Sequence, residues 1–212
     1  VGDNMGIDLS GKVGIVTGGA RGIGKGMATA LIKAGMAVTV TDIREDTLKE
    51  TGAFFDTIPG ARHLELVADG CKDDEVDSAV RKTADAFGRI DMVINNAQAS
   101  VTGVNLEDQS VDDVMVAVDS GFLASFRYMR AAYPYLKETQ GTVVNFASQA
   151  GLIGNSGMVG YNAAKEANRA LTRTAAREWA KDNITVNTII PGMLTEGSKE
   201  FFETNPEHYK HS

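Results

Sequence analysis

Lys12-Val-Gly-Ile-Val-Thr17-Gly-Gly-Ala-Arg-Gly-Ile-Gly24 is the stretch on which the reading of this chain turns. Its first six residues form a β-branched apolar run closed by Gly18-Gly19, the pattern of a strand that ends in a loop. From Ile23 to Ala34 the spacing changes. Met27, Ala30, Leu31 and Ala34 fall on one stripe and Gly35 stops it, which predicts a helix. Glycines between a strand and a helix let the backbone approach a pyrophosphate and seat it on the helix N-terminus. Any tight turn can use glycine, so position carries the argument. Asp42 stands 18 residues after Gly24, at the end of the next apolar run, placed to accept hydrogen bonds from an adenosine ribose.

Outward from this unit the alternation continues. Strands are predicted at 12–17, 37–41, 63–67, 90–94, 142–146 and 184–190. Helices are predicted over Ile23–Ala34, Glu45–Phe55, Asp73–Phe87, Val111–Leu136 and Tyr161–Lys181. Helices long enough for crossovers, set between apolar strands, imply an α/β fold: a doubly wound, mostly parallel sheet with helices on both faces. No linker or repeat divides the chain, so residues 1–212 read as a single dinucleotide-binding domain that also carries the catalytic site.

Composition narrows the function. The chain has 212 residues, 43% hydrophobic and 23% charged, with a net charge of −7, so it is globular in character. No basic tract marks a nucleic-acid surface. The one cysteine, Cys71, forms no internal disulfide, and with three histidines a metal site is unsupported. Val1 to Leu9 lacks the apolar run of a signal peptide, and no 18 apolar residues run together. The expectation is a cytoplasmic protein with no membrane or nucleic-acid partner. Cys71 reads as a part-buried apolar side chain, Trp179 as core or interface, and His63, His208 and His211 as structural or solvated.

Asp42 also bears on nucleotide choice. A carboxylate there repels a 2′-phosphate and favours NAD, whereas Arg21 and Arg44 are each able to pair with that phosphate. NAD is expected, with NADP possible.

A second constellation is Ser148, Tyr161 and Lys165. Tyr161 and Lys165 are four residues apart on a predicted helix and share a face. A free phenol titrates at about 10. A neighbouring ammonium and a cationic nicotinamide favour the phenolate, which lets Tyr161 exchange a proton with a hydroxyl or carbonyl oxygen. Ser148, just past the fifth strand, is placed to hydrogen-bond the same oxygen.

With these residues the chain resembles the compact single-domain branch of the short-chain dehydrogenase/reductase family, from about Leu9 to Leu194. The marks are Thr17-Gly-Gly-Ala-Arg-Gly-Ile-Gly24, Asp69, Asn95-Asn96-Ala97, Ser148, Tyr161-Asn-Ala-Ala-Lys165, and Asn187 with Pro191-Gly192. The resemblance implies a Rossmann sheet and hydride transfer between a nicotinamide and a secondary alcohol or ketone. It makes Tyr161 the acid/base, Ser148 the orienter of the substrate oxygen and Lys165 the holder of the ribose hydroxyls. It places Asp69 at the adenine amino group, Asn96 at the cofactor ribose and Leu194 at the nicotinamide carboxamide. The full cofactor set is Gly18, Arg21, Gly22, Ile23, Gly24, Asp42, Asp69, Gly70, Asn96, Tyr161, Lys165, Pro191, Gly192, Leu194 and Thr195.

Four features depart from the family pattern. Gln98 stands where Asn-Asn-Ala-Gly has its glycine, adding bulk where cofactor and substrate meet. Asp119 replaces the asparagine that normally joins the proton relay, keeping its backbone carbonyl but adding charge. Thr195 and Glu196 compete for the role of the threonine after Pro191-Gly192. The sequence stops at Ser212, short of the further helix and seventh strand usual in the family. Phe201, Phe202 and Tyr209 read equally as a substrate lid or an amphipathic helix.

Two rivals stand beside a dehydrogenase. One is a cofactor-binding module without turnover, a sensor or oligomer scaffold motivated by Gln98, Asp119 and the short C-terminus. The other, a sugar-nucleotide epimerase or dehydratase, needs a second lobe for which 212 residues leave no room. Apolar positions beyond a single stripe on the two long helices, among them Phe122, Phe126, Met129, Leu171 and Trp179, predict a two-fold interface and a homodimer or homotetramer.

Overall fold

The computed structural model describes residues 7–192. Val13–Thr17 forms β1, Ala37–Asp42 β2, His63–Val67 β3, Met92–Asn95 β4, Thr142–Phe146 β5 and Thr185–Ile189 β6. All six are parallel, in the order β3-β2-β1-β4-β5-β6. The sheet therefore winds outward in two directions from β1, and the crevice beyond the carboxyl ends of β1 and β4 is its switch point.

Alternation along the strands divides the core in two. Val16, Val38, Val40, Ile94 and Phe146 pack with Ala28 and Ile32 of α1 (Gly22–Lys33) and Leu48 and Phe55 of α2 (Glu45–Phe55). Ile15, Val93, Val143 and Val186 face the other way. They meet Val76 and Val80 of α3 (Asp73–Phe87), Tyr128, Met129 and Leu136 of α5 (Ala124–Thr139), and Ala175 of α7 (Val159–Glu178). The expected two-faced, doubly wound sheet is thus present.

The predicted helix over Val111–Leu136 keeps its start and is corrected in two respects. It begins as α4 (Val111–Ala117), started by a Ser110–Asp113 capping box. It then widens into a π-helical segment at Val118–Leu123, and as α5 it runs on to Thr139. The π-segment covers six residues, little more than one turn, too short for its altered period to stand out in the spacing. Residues 149–160, between the predicted fifth strand and the last predicted helix, contain the short helix α6 (Gln149–Ile153). The predicted helix Tyr161–Lys181 ends as α-helix at Glu178 and closes in a 3₁₀ turn, Ala180–Asp182. Met129, expected to point toward a partner subunit, lies in the core, and Trp179 packs on Tyr133 with ring centroids 5.0 Å apart.

Among the described residues no helix is long and apolar enough to cross a membrane, and no cluster of His, Cys, Asp and Glu suits a metal ion.

Candidate active site

The glycine-rich turn joins β1 to α1 at the switch point. Gly22 adopts φ +53°, a left-handed conformation that glycine takes without strain. Gly24 is held by space: a Cβ there would stand 2.2 Å from the Gly18 carbonyl oxygen. No side chain caps α1 and its first turn carries no acid. The N–H groups around Gly22, Ile23 and Gly24 are therefore free for an anion, with the helix dipole behind them. A turn this tight, opening on an uncapped helix, fits a dinucleotide diphosphate.

Two side chains that sequence reading passed over or placed differently hold this turn. The Thr17 hydroxyl, buried at the end of β1, accepts the Asn96 and Ala97 N–H groups at 3.0 Å each. Asn96 Nδ2 donates to the carbonyls of Thr17 at 2.9 Å and Gly18 at 3.2 Å. Asn96, expected at the cofactor ribose, thus acts on the turn that would carry the cofactor. A threonine closing an apolar strand is the signal that pointed to Thr17.

Asp42 ends β2 half-buried, its Oδ1 accepting the Arg44 N–H at 3.2 Å. Arg21 and Arg44 are exposed, and among the described residues neither guanidinium pairs with Asp42. Asp69 follows β3, its Oδ1 accepting the Cys71 N–H at 2.9 Å. Gly70 is closely overlaid by α5, since a Cβ there would meet Cβ of Ala124 at 2.9 Å. Burial and the adjacent Asp69 push the Cys71 thiol up to about 11, which keeps it protonated and agrees with an unreactive role.

Ser148 follows β5 and caps α6, its Oγ accepting the Ala150 N–H at 3.2 Å. That bond uses a lone pair and leaves the hydroxyl proton to donate. Tyr161 and Lys165 share one face of α7, with Lys165 Nζ 5.4 Å from the Tyr161 ring centroid. Lys165 is 6% exposed and has no carboxylate partner among the described residues. Burial pulls its ammonium down to about 8, so at neutral pH it still carries a proton and sets a positive charge against the Tyr161 ring.

α7 is anchored from below. Asn145 of β5 receives Asn95 Nδ2 at 2.8 Å and donates to Thr172 Oγ1 at 2.9 Å. Thr172 in turn donates to the Asn168 carbonyl at 2.8 Å. These buried polar residues, of which only Asn95 was noted in the sequence, fix the helix bearing Tyr161 and Lys165 on the sheet.

The π-helical segment packs on α7. Asp119 lies within it, yet its carboxylate sits 3.5 Å from Arg127, which also approaches Asp73 and the Gly70 carbonyl. The added charge is thus met by a cation on the β3–α3 side. The Asp119 carbonyl accepts the Ala124 N–H. Pro191 and Gly192 lie just past β6. Leu194, Thr195 and Glu196 lie outside the described residues, as do Phe201, Phe202, His208, Tyr209 and His211.

His63 bonds Glu65 at 2.7 Å and Asp56 at 3.2 Å, a structural arrangement as expected.

Comparison with known proteins agrees with this geometry. The profile of the short chain dehydrogenase family matches residues 12–206. A 12alpha-hydroxysteroid dehydrogenase of Clostridium sp. is 46% identical, with 97% of this chain and 82% of that protein covered. A 3-oxoacyl-[acyl-carrier-protein] reductase of Synechocystis sp. is 32% identical over 93% of this chain and 80% of its own. The crystal structure of levodione reductase superposes with a TM-score of 0.87 at 30% identity, covering 93% of this chain and 78% of that one. The chain belongs to the short-chain dehydrogenase family. It is an oxidoreductase that moves a hydride between a nicotinamide cofactor and a secondary alcohol or ketone.

Proposed function

We propose that this protein is an NAD-dependent dehydrogenase of ring-bound secondary alcohols, of the hydroxysteroid class, with Ser148, Tyr161 and Lys165 as its catalytic residues. The observation that carries the chemistry is the approach of the Lys165 ammonium to the Tyr161 ring on one face of α7. The substrate class is supported by 46% identity to a hydroxysteroid dehydrogenase over nearly the whole chain.

The hydride chemistry would be supplied by the nicotinamide when bound, as acceptor in oxidation and donor in reduction. The chain's own residues manage the oxygen and its proton. Ser148 donates its hydroxyl hydrogen to the substrate oxygen and fixes it beside Tyr161. In oxidation the alcohol proton passes to the Tyr161 phenolate oxygen as the carbonyl forms; in reduction Tyr161 returns it. Lys165 holds the phenolate by its charge and is the donor for ribose hydroxyls.

The first turn of α1 would hold the diphosphate, and Asp42 would accept hydrogen bonds from the adenosine ribose hydroxyls. Its carboxylate, unpaired with either nearby arginine among the described residues, supports NAD over NADP. Asp69 and Gly70 line the adenine side, while Pro191, Gly192, Leu194 and Thr195 are the nicotinamide side of the same proposal. Asp119 contributes backbone rather than charge to the site.

Initial rates of purified protein with NADH and NADPH, against a panel of 3-, 7- and 12-oxo steroids and simple ketones, test this reading. Oxo-steroid reduction with NADH is expected. Turnover confined to acyclic ketones or to NADPH would replace the substrate or the cofactor assignment.

A further inference from the structure

Gln98 is the departure from the family pattern that the geometry develops furthest. It lies three residues past Asn95, the end of β4, at the switch-point crevice. Its backbone is clamped from both sides. The Ala97 N–H is held by the Thr17 hydroxyl at 3.0 Å, and the Ala97 Cα stands 3.0 Å from where a Cβ on Gly18 would be. The Ala99 N–H is held at 2.9 Å by the hydroxyl of Ser120, in the π-helical segment.

Between these clamps the carboxamide lies over Gly121, where an added Cβ would stand 2.8 Å from the amide carbon. Only glycine at 121 leaves it room. Both Oε1 and Nε2 are shut off from solvent and have no hydrogen-bond partner among the described residues. A buried polar group left without a partner works against the folded state. A methionine or leucine would fill the same space without that cost. A donor and an acceptor kept at this position are explained by a partner met in the bound state.

We propose that Gln98 is a substrate-positioning residue whose carboxamide turns from Gly121 into the crevice and hydrogen-bonds a polar group of the substrate other than the reacting oxygen. This rests on the ring-alcohol reading given above. The placement favours substrate over cofactor. The turn between β1 and α1 and Asp42 serve the diphosphate and ribose, whereas Gln98 lies by the π-helical segment that packs on the Tyr161 helix. A substrate with a second hydroxyl or carboxylate would hold the ring system by two points and fix which carbon faces the hydride.

The test uses the full chain, Gln98→Met and Gln98→Gly. Three readouts are taken: melting temperature alone, melting temperature with NAD, and KM and kcat in two reductions. One substrate is a 12-oxo steroid with further hydroxyls; the other is a cyclic ketone with no other polar group. For Gln98→Met the inference predicts a melting temperature at or above the parent's and an unchanged NAD shift. It predicts a KM for the hydroxylated steroid raised at least tenfold, with kcat within about threefold and the plain ketone unaffected. Gln98→Gly should show the same split of KM against kcat. Equal KM values for parent and variants overturn the inference, and a diminished NAD shift transfers the amide to the cofactor and overturns it too. If the parent neither reduces nor is stabilised by any steroid, the substrate class itself is wrong and the inference falls with it.

Discussion

At Lys165 the site holds a charge in a place that resists charge. Burial pulls its ammonium down to about 8 from the ordinary lysine value of 10.5. The folded state therefore binds the proton less tightly than the unfolded chain, and the cost is fully present below pH 8. Stability from this group rises as pH climbs from about 8 toward 10.5. Lys165→Met should remove that slope and stabilise the cofactor-free protein at pH 7 by up to about 3 kcal/mol, while lowering turnover sharply. Denaturant unfolding at pH 7 and pH 9.5 reads the slope; an unaltered slope contradicts the burial account. Asp42 presents the opposite case, a carboxylate half in solvent with only the Arg44 N–H on one oxygen. Asp42→Ala should weaken NADH binding by about tenfold, roughly the worth of a charge-assisted hydrogen bond, and narrow the preference over NADPH. Fluorescence titration with both nucleotides reads the change. A parent that already prefers NADPH would assign the dominant role to Arg21 or Arg44.

Among the elements, the start of the sheet depends on one carboxylate. Asp91 precedes β4, almost fully enclosed, and accepts from the Val13 N–H at 3.0 Å, Arg89 at 2.6 and 2.8 Å, and Lys12 at 3.1 Å. Burial works to raise its titration, but the Arg89 guanidinium, the Val13 N–H and Lys12 together hold it below the usual carboxylate range. Its stabilisation is therefore present above about pH 4 and is lost as pH falls through the lowered value. Asp91→Ala should cost about 2 kcal/mol, seen in urea unfolding at pH 7, and the difference from the parent should shrink toward pH 3. Asp91 drew no notice in the sequence, since its value lies in partners as much as 79 residues away. The strands and crossover helices were legible because their periods are local, as with Lys12–Thr17 and Ile23–Ala34. The π-helical segment at Val118–Leu123 was not, because six residues, little more than one turn, are too few for its altered period to stand out from the flanking helices. Ser148, Tyr161 and Lys165 were legible as chemistry, and the fold brings Tyr161 and Lys165 together as their spacing requires. The buried amides of Gln98 and Asn145 depend on tertiary neighbours that no spacing reveals.

As a whole molecule the protein keeps part of its apolar surface uncovered. Met115 and Val116 of α4 and Phe126 of α5, 41% exposed, stand open to solvent, as do the small residues Ala163 and Ala170 of α7, against which α4 packs. We propose that a second copy covers this face in a two-fold pairing of α4, α5 and α7. Sedimentation at micromolar concentration should show a dimer or tetramer, and Phe126→Asp should shift it toward monomer. A monomeric parent contradicts the pairing. The central claim is that Ser148, just past β5, and Tyr161 of α7 act together on one oxygen at the mouth of the sheet. The direct measurement is NADH consumption with a 12-oxo steroid by the parent and by Tyr161→Phe, each first shown to bind NADH. The account predicts steady turnover by the parent and a loss of about 10²-fold or more in the variant, with NADH affinity within about twofold. Turnover of Tyr161→Phe within tenfold of the parent would contradict it.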